Sequence, residues 1–387
     1  MKTPFAGALV AALALGAASA APLPSQDRIL AWTPAEQAIG YRSMEKISPF
    51  RTVARGPTVS PLPHARGRFD VSYAFADNTW NTADFMAATN VSGLIIVHHG
   101  RVLLERYGLG RTERDRWTSF SVAKSVTSTL VAAAIHDGYI KSLSAPVTDY
   151  LPELRHTAYE GVTVGDLITM RSGVAWNEDY ADPKSDVARF ALEPPRADGA
   201  DPVVAYMARL PRAHPPGTTF HYDTGETELV GVLVARATKR PLAQYLSETI
   251  WSKIGTEQDA VWLLDAAGQE HGGCCISATL RDYARFGLFF MHGGLANGRP
   301  VLPPGWVRAA SASHVATGDG PEGYGYAWWV HPDGSYSAEG IFGQQIWLDP
   351  ADDLVIVFNS AWRSADDDSD WAAQHAYAEA VKRKLAR

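Results

Sequence analysis

Cysteine is nearly absent: the 387 residues hold two, side by side at Cys274-Cys275. A disulfide-built scaffold is therefore excluded. Consecutive Cα atoms lie about 3.8 Å apart across a trans peptide, below the usual span of a bridge, so the pair is expected as two small buried thiols. Metal-ligand spacing is missing too. The twelve histidines form no His-Glu-x-x-His and no Cys/His pattern, and no metal or cofactor is expected. Lysine is scarce, with no basic run and a formal net charge of −7, which excludes a surface built to track nucleic-acid phosphates. The apolar stretch near the N-terminus is shorter than the roughly 20 residues that span a bilayer, and no later segment is long and apolar enough to do so. What the chain has in quantity is core-forming material: 46% hydrophobic residues with 12 Trp, 15 Tyr and 13 Phe, enough for one large domain or two intimately joined lobes.

Residues 1–20 read as a secretory signal, with Lys2 at the positive end, an apolar stretch from Ala6 to Ala18, and Ala18-Ser19-Ala20 as the small-residue cleavage site. An exported protein, periplasmic or secreted, is the expectation. Its loss takes one positive charge and no acid, leaving −8. Residues 21–70, rich in Pro and Arg, read as an arm over the body. Gly93–Val97 and Arg101–Glu105, apolar runs about His98-His99-Gly100, predict a β-hairpin. From 140 to 300 the periodicity is helical. Strand signals return at Gly325–Val330, Gln345–Leu348 and Leu354–Phe358, and a last helix begins near Ser369-Asp370 and ends in Lys382-Arg383-Lys384. This order implies an α+β fold: an antiparallel sheet built from N- and C-terminal segments (71–155 and 300–387), flanked by helices, with a mostly helical lobe inserted at 156–299.

The chemistry is carried by Ser121-Val-Ala-Lys124. Residues three apart share a helix face, so an amine can lie beside a hydroxyl, a nucleophile with its base. With 25 Ser and nine Lys, roughly 0.6 such matches arise by chance, and a second does occur at Ser43-Met-Glu-Lys46. Context separates them. Ser121 opens the apolar series Val122, Val126, Leu130, Val131, Ala134, Ile135, one buried helical face. Ser43 is expected near the end of a short helical stretch that must stop before Pro49. Taken alone, Ser121 reads equally well as a helix cap followed by an ordinary lysine.

Order along the chain settles more than any single motif. Phe120-Ser-Val-Ala-Lys-Ser125, Met170-Arg-Ser-Gly173, Phe220-His-Tyr222, Gly273–Gly287 with Asp282-Tyr-Ala-Arg-Phe-Gly287, and Gly340-Ile-Phe-Gly-Gln344 together resemble the serine β-lactamase-like family, which holds class C β-lactamases, D-Ala-D-Ala peptidases and carboxylesterases. Trp176-Asn-Glu-Asp-Tyr180-Ala-Asp-Pro183 and Gly340–Pro350 are most similar to its 6-aminohexanoate-dimer hydrolase branch. The resemblance implies Ser121 as nucleophile, Lys124 as activating base and Tyr222 as the proton shuttle to the leaving group. It further implies an oxyanion hole from the backbone amides of Ser121 and Ile341, with Gly340 and Tyr180 facing substrate. Tyr180 reads equally as a packed aromatic.

Departures from the family bear on substrate. Tyr222-Asp223-Thr224 stands where class C enzymes carry Tyr-x-Asn, whose Asn binds a side-chain amide. Ala338-Glu339-Gly340 stands where Lys-Thr-Gly receives a β-lactam carboxylate. These changes point to hydrolysis of a small neutral or amine-bearing ester or amide through an acyl-serine intermediate. Two alternatives stand beside this reading: a β-lactamase or D-Ala-D-Ala carboxypeptidase, and a non-catalytic cell-envelope binding module. A small molecule is the expected partner, with neither nucleic acid nor a membrane span in the mature chain.

Overall fold

Every side chain from Val91 to Val97 is buried, without the in-out alternation of a half-exposed strand. Successive strand residues point to opposite faces, so both faces here must be covered. Ile95 and Val97 enter the main core with the helical lobe, while Leu94 and Ile96 enter a second core with Tyr377 and Val381 of the last helix. The computed structural model describes residues 22–190, 192–197, 199–318 and 320–387. The expected signal and its cleavage site lie outside the described residues.

The main sheet comprises β1 (Val91–His98), β2 (Arg101–Tyr107), β3 (Val315–Ala316), β4 (Gly323–Tyr324), β5 (Trp329–Val330), β6 (Tyr336–Gly340), β7 (Gln344–Asp349) and β8 (Leu354–Ser360). Its order is β3-β4-β5-β6-β7-β8-β1-β2, antiparallel throughout. The two ends of the chain meet at β8 and β1, where Phe358 faces Leu94 and Ile356 faces Ile96. This is the expected α+β sheet. Four helices build or brace the cleft: α1 (Val122–His136), α2 (Thr224–Thr238), α3 (Leu280–Met291) and α4 (Asp368–Leu385). The Asp367 side chain caps α4 by accepting from the Ser369 and Asp370 amides, and the bases of its last turn complement the helix dipole.

Four expectations needed correction. The arm at 21–70 contains Phe50–Val53, a strand of a second sheet that pairs with Ala260–Leu263. Only Val53 of its four side chains is buried, in the main core, so the segment shows no sustained apolar alternation. Gly325–Val330 is not one strand. Ala327 takes φ 59°, folding the segment into a tight turn between β4 and β5, held from α1 by Ser125 Oγ donating to Ala327 O (2.6 Å) and Ser128 Oγ to Tyr326 O (2.8 Å). Ser43 sits at the start, not the end, of a one-turn helix, Met44–Ile47, and makes no side-chain cap. Cys274 and Cys275 are joined to each other; the chain turns sharply there, with Cys275 at φ 71°.

Gly343 makes the turn from β6 to β7 at φ 81°, and a Cβ there would lie 2.3 Å from the Trp362 ring. Strain and overlap act together, so Gly343→Ala should lower unfolding free energy by about 1–3 kcal/mol or more. Urea denaturation reads this directly, and an unchanged midpoint would show that the turn relaxes freely.

Candidate active site

Phe120, the residue before Ser121, is itself held at φ 42°, a left-handed conformation uncommon for a bulky side chain. Packing over-determines it: the ring sits edge-on against Tyr41 (5.1 Å) and beside Phe342 (5.4 Å). Ser119 ties the same turn to the neighbouring strand, its amide donating to Ile276 O (2.7 Å) and its hydroxyl accepting from the Ile276 amide (3.0 Å). Tyr283 of α3 adds bonds to Trp117 O and Ile276 O (2.8 and 2.9 Å). The Asp282-Tyr-Ala-Arg-Phe-Gly287 motif thus supports the helix start rather than reaching the cleft. Ser121 is fixed at the head of α1, where helix N–H groups have no intrahelical partner.

One turn into α1, Lys124 is 2% exposed. Its amine donates to Ser121 Oγ (2.9 Å), Thr224 Oγ1 (2.9 Å) and Gly273 O (3.0 Å). Burial pulls it down to about 8, against the opposing pull of Glu178, Glu228 and Asp223. The three partners differ in what they can give. Thr224 directs its one proton at Glu178, so toward Lys124 it can only accept, and the Gly273 carbonyl can only accept. A neutral Lys124 therefore keeps its two N–H bonds for Thr224 and Gly273. Its lone pair is left facing the Ser121 hydroxyl, the partner that can donate.

Each of these partners is itself positioned. Glu178 accepts from Trp176 Nε1, from the Thr224 amide (3.0 Å) and from the Tyr180 hydroxyl (2.6 Å). Gly273 follows a loop pinned by Glu228, which accepts from the Gly272 amide (2.7 Å), and by Thr127 Oγ1 donating to Gly272 O (2.6 Å). Sequence reasoning misses Glu178 and the Gly273 carbonyl. No spacing to Lys124 marks their role, because Gly273 lies 149 residues away and Glu178 reaches the amine only through Thr224. Thr224, expected as a shortened substrate contact, instead faces Lys124.

Tyr222 lies against the same group. Lys124 Nζ is 5.1 Å from its ring centroid, and Trp329 stacks on it at 5.8 Å. Burial, with Tyr324 and Glu178 nearby, pushes it well above the usual phenol value. It is a phenol at neutral pH, able to donate a proton but not to act as a resident phenolate.

Ser121, Tyr222, Tyr180, Gly340 and Ile341 all line one cleft of about 830 Å³. Gly340, ending β6, lies so close to the helix start that an added Cβ would fall 2.6 Å from Ser119 O and 2.9 Å from Ser121 N. Among the described residues, neither the Ser121 nor the Ile341 N–H bonds to a backbone acceptor. Both remain available to a developing oxyanion. Ser43-Met-Glu-Lys46 has no such surroundings: Lys46 is exposed.

The beta-lactamase family pattern matches residues 81–379, and the chain belongs to this family. A 6-aminohexanoate-dimer hydrolase of Paenarthrobacter ureafaciens is 35% identical over 293 residues, covering 72% of this chain and 74% of the relative. Esterase EstB of Burkholderia gladioli is 30% identical over 181 residues, 42% of this chain and 44% of its own. Among solved structures, a candidate 6-aminohexanoate-dimer hydrolase from Bacillus anthracis superposes with TM-score 0.81 at 24% identity, covering 94% of this chain and 98% of that one. A family VIII carboxylesterase gives TM-score 0.60 at 16% identity over 77% and 95% of the two chains. At such identities the structures speak for the fold. With the family and its named hydrolase relatives, they make this a serine hydrolase of the beta-lactamase fold.

Thr224→Val should lower kcat/KM for an ester by about tenfold to a hundredfold, part of the roughly 10²–10⁴ that general-base help supplies. Thr224→Ser, which keeps the hydroxyl between Glu178 and Lys124, should retain most of the rate. Wild-type turnover by the valine variant would remove Thr224 from the account.

Proposed function

We propose that the protein hydrolyses small neutral or amine-bearing esters and amides through an acyl-Ser121 intermediate. The observation that carries this reading is the set of bonds on Lys124: with two partners able only to accept, the neutral amine directs its lone pair at Ser121. Lys124 takes the Ser121 proton as Oγ attacks the carbonyl carbon. The amides of Ser121 and Ile341 stabilise the oxyanion. Tyr222, protonated and lining the same cleft as Ser121, hands its proton to the departing alcohol or amine and recovers one through Lys124. Water, activated by the same groups, then releases the acid.

Charge around the cleft supports the substrate class. Glu178, Asp179, Glu322, Glu339, Asp366 and Asp368 line it, against a single guanidinium, Arg363. A substrate carboxylate would be repelled and left unpaired, at a cost of several kcal/mol if desolvated, whereas an ammonium would be attracted. The relative named a 6-aminohexanoate-dimer hydrolase and the esterase relative are in keeping with amide and ester cleavage respectively. Export to the periplasm or medium is part of the proposal and rests on residues 1–20. Among the described residues no helix is long and apolar enough to cross a membrane.

Short-chain p-nitrophenyl esters should be turned over with higher kcat/KM than nitrocefin on the same preparation. A serine-directed fluorophosphonate should label wild type at Ser121 and leave Ser121→Ala unmodified. Equal or faster nitrocefin hydrolysis would replace the esterase reading by a β-lactamase. An adduct on Ser43, or no adduct on a folded protein, would end the mechanism.

A further inference from the structure

Beyond the hydrolytic site, His331, Glu339 and His375 come together although they lie on β6, on the turn that precedes it, and on α4. One ligand atom from each falls within 4.8 Å of the others. Two imidazoles and a carboxylate are the donor set of zinc-type ions rather than of calcium or magnesium. In a tetrahedral zinc site, bonds of about 2.1 Å place ligands about 3.4 Å apart, so only a small inward movement of side chains is needed.

The surroundings are built for such a group. Trp347 stacks on His331 at 4.5 Å and 10°, fixing the ring plane. Glu322 lies 3.5 Å from His331 Nδ1, the carboxylate behind a histidine that orients metal ligands. Gln345 Nε2 donates to Glu339 Oε1 (3.0 Å), and Gln374 holds Gln345 in turn (3.0 Å). Yet two carboxylates, Glu322 and Glu339, face the two imidazoles, and one ring nitrogen has no partner. The Ser337 hydroxyl donates to Glu339 Oε1 (2.6 Å) and lies 3.0 Å from His331 Nε2, so Glu339 and His331 are linked through one serine. His375 Nε2 is buried with no hydrogen-bond partner. A cation between the three would give His375 Nε2 a partner and offset the Glu339 carboxylate.

We propose that His331, Glu339 and His375 form a site for a divalent zinc-type ion, with the fourth position open. Glu339 and His375 also line the cleft that holds Ser121, so the ion would stand in the cleft wall. No sequence spacing announces this site, because its three ligands come from elements that only the folded sheet and α4 bring together.

The test is calorimetric titration of the purified, EDTA-treated and desalted protein with zinc chloride near neutral pH. One equivalent should bind with a micromolar dissociation constant, and His375→Ala and His331→Gln should each weaken it by about tenfold or more. His375 is on an outer helix and only partly buried, so its variant decides the matter even if the His331 variant fails to fold, as circular dichroism would show. Absence of binding to wild type up to about 1 mM, or affinity unchanged in a folded His375→Ala, overturns the proposal.

Discussion

Burial of one amine is the constraint on which the site depends. Lys124 has been removed from water on the inner side of α1, and the protein offsets the cost with three hydrogen bonds rather than an ion pair. Had a carboxylate touched it directly, the amine would be held in its charged form. Glu178 is instead kept one residue away, reaching Lys124 through Thr224. That spacing leaves desolvation the larger effect and brings the amine to about 8, where it is partly neutral at physiological pH.

Much of the surrounding structure fixes those three partners. Glu228 and Thr127 hold the loop that presents Gly273, Trp176 and Tyr180 hold Glu178, and α3 with the second sheet holds the turn at Phe120. Backbone in the left-handed region recurs close by, at Phe120, Cys275 and Phe342. Each such residue would relax if its neighbours allowed. Their rings and carbonyls do not, so the turn that carries Ser121 is fixed by its packing.

Local signals in the sequence point to what local chemistry decides. Ser121 and Lys124 are joined by a helix turn, so their spacing alone places them together; the β1–β2 hairpin and α4 carry their own turn and cap residues. The sheet made from both ends of the chain follows from where the strand signals fall. Tyr222 is visible only through motif order, since one tyrosine among 15 has no distinguishing neighbour. Glu178, the Gly273 carbonyl and the true partner of Thr224 are not legible, because each acts through a contact that exists only after the lobes close on α1. The same applies to the strand broken at Ala327: its residues favour a strand, and hydrogen bonds from Ser125 and Ser128 on α1 bend it. Average bridge geometry argues against joining the two cysteines, because it takes no account of a left-handed residue at the second position.

The central claim is that a buried, partly neutral Lys124 activates Ser121. A pH profile of kcat/KM for p-nitrophenyl butyrate tests it most directly, because kcat/KM reports ionisations of the free enzyme. The charged amine is inactive as a base, so the rate should fall about tenfold per pH unit below roughly 7 and level off above about 9, with a midpoint near 8. A profile flat from about pH 6 to 9, or one still rising toward the ordinary lysine value near 10.4, would contradict the account.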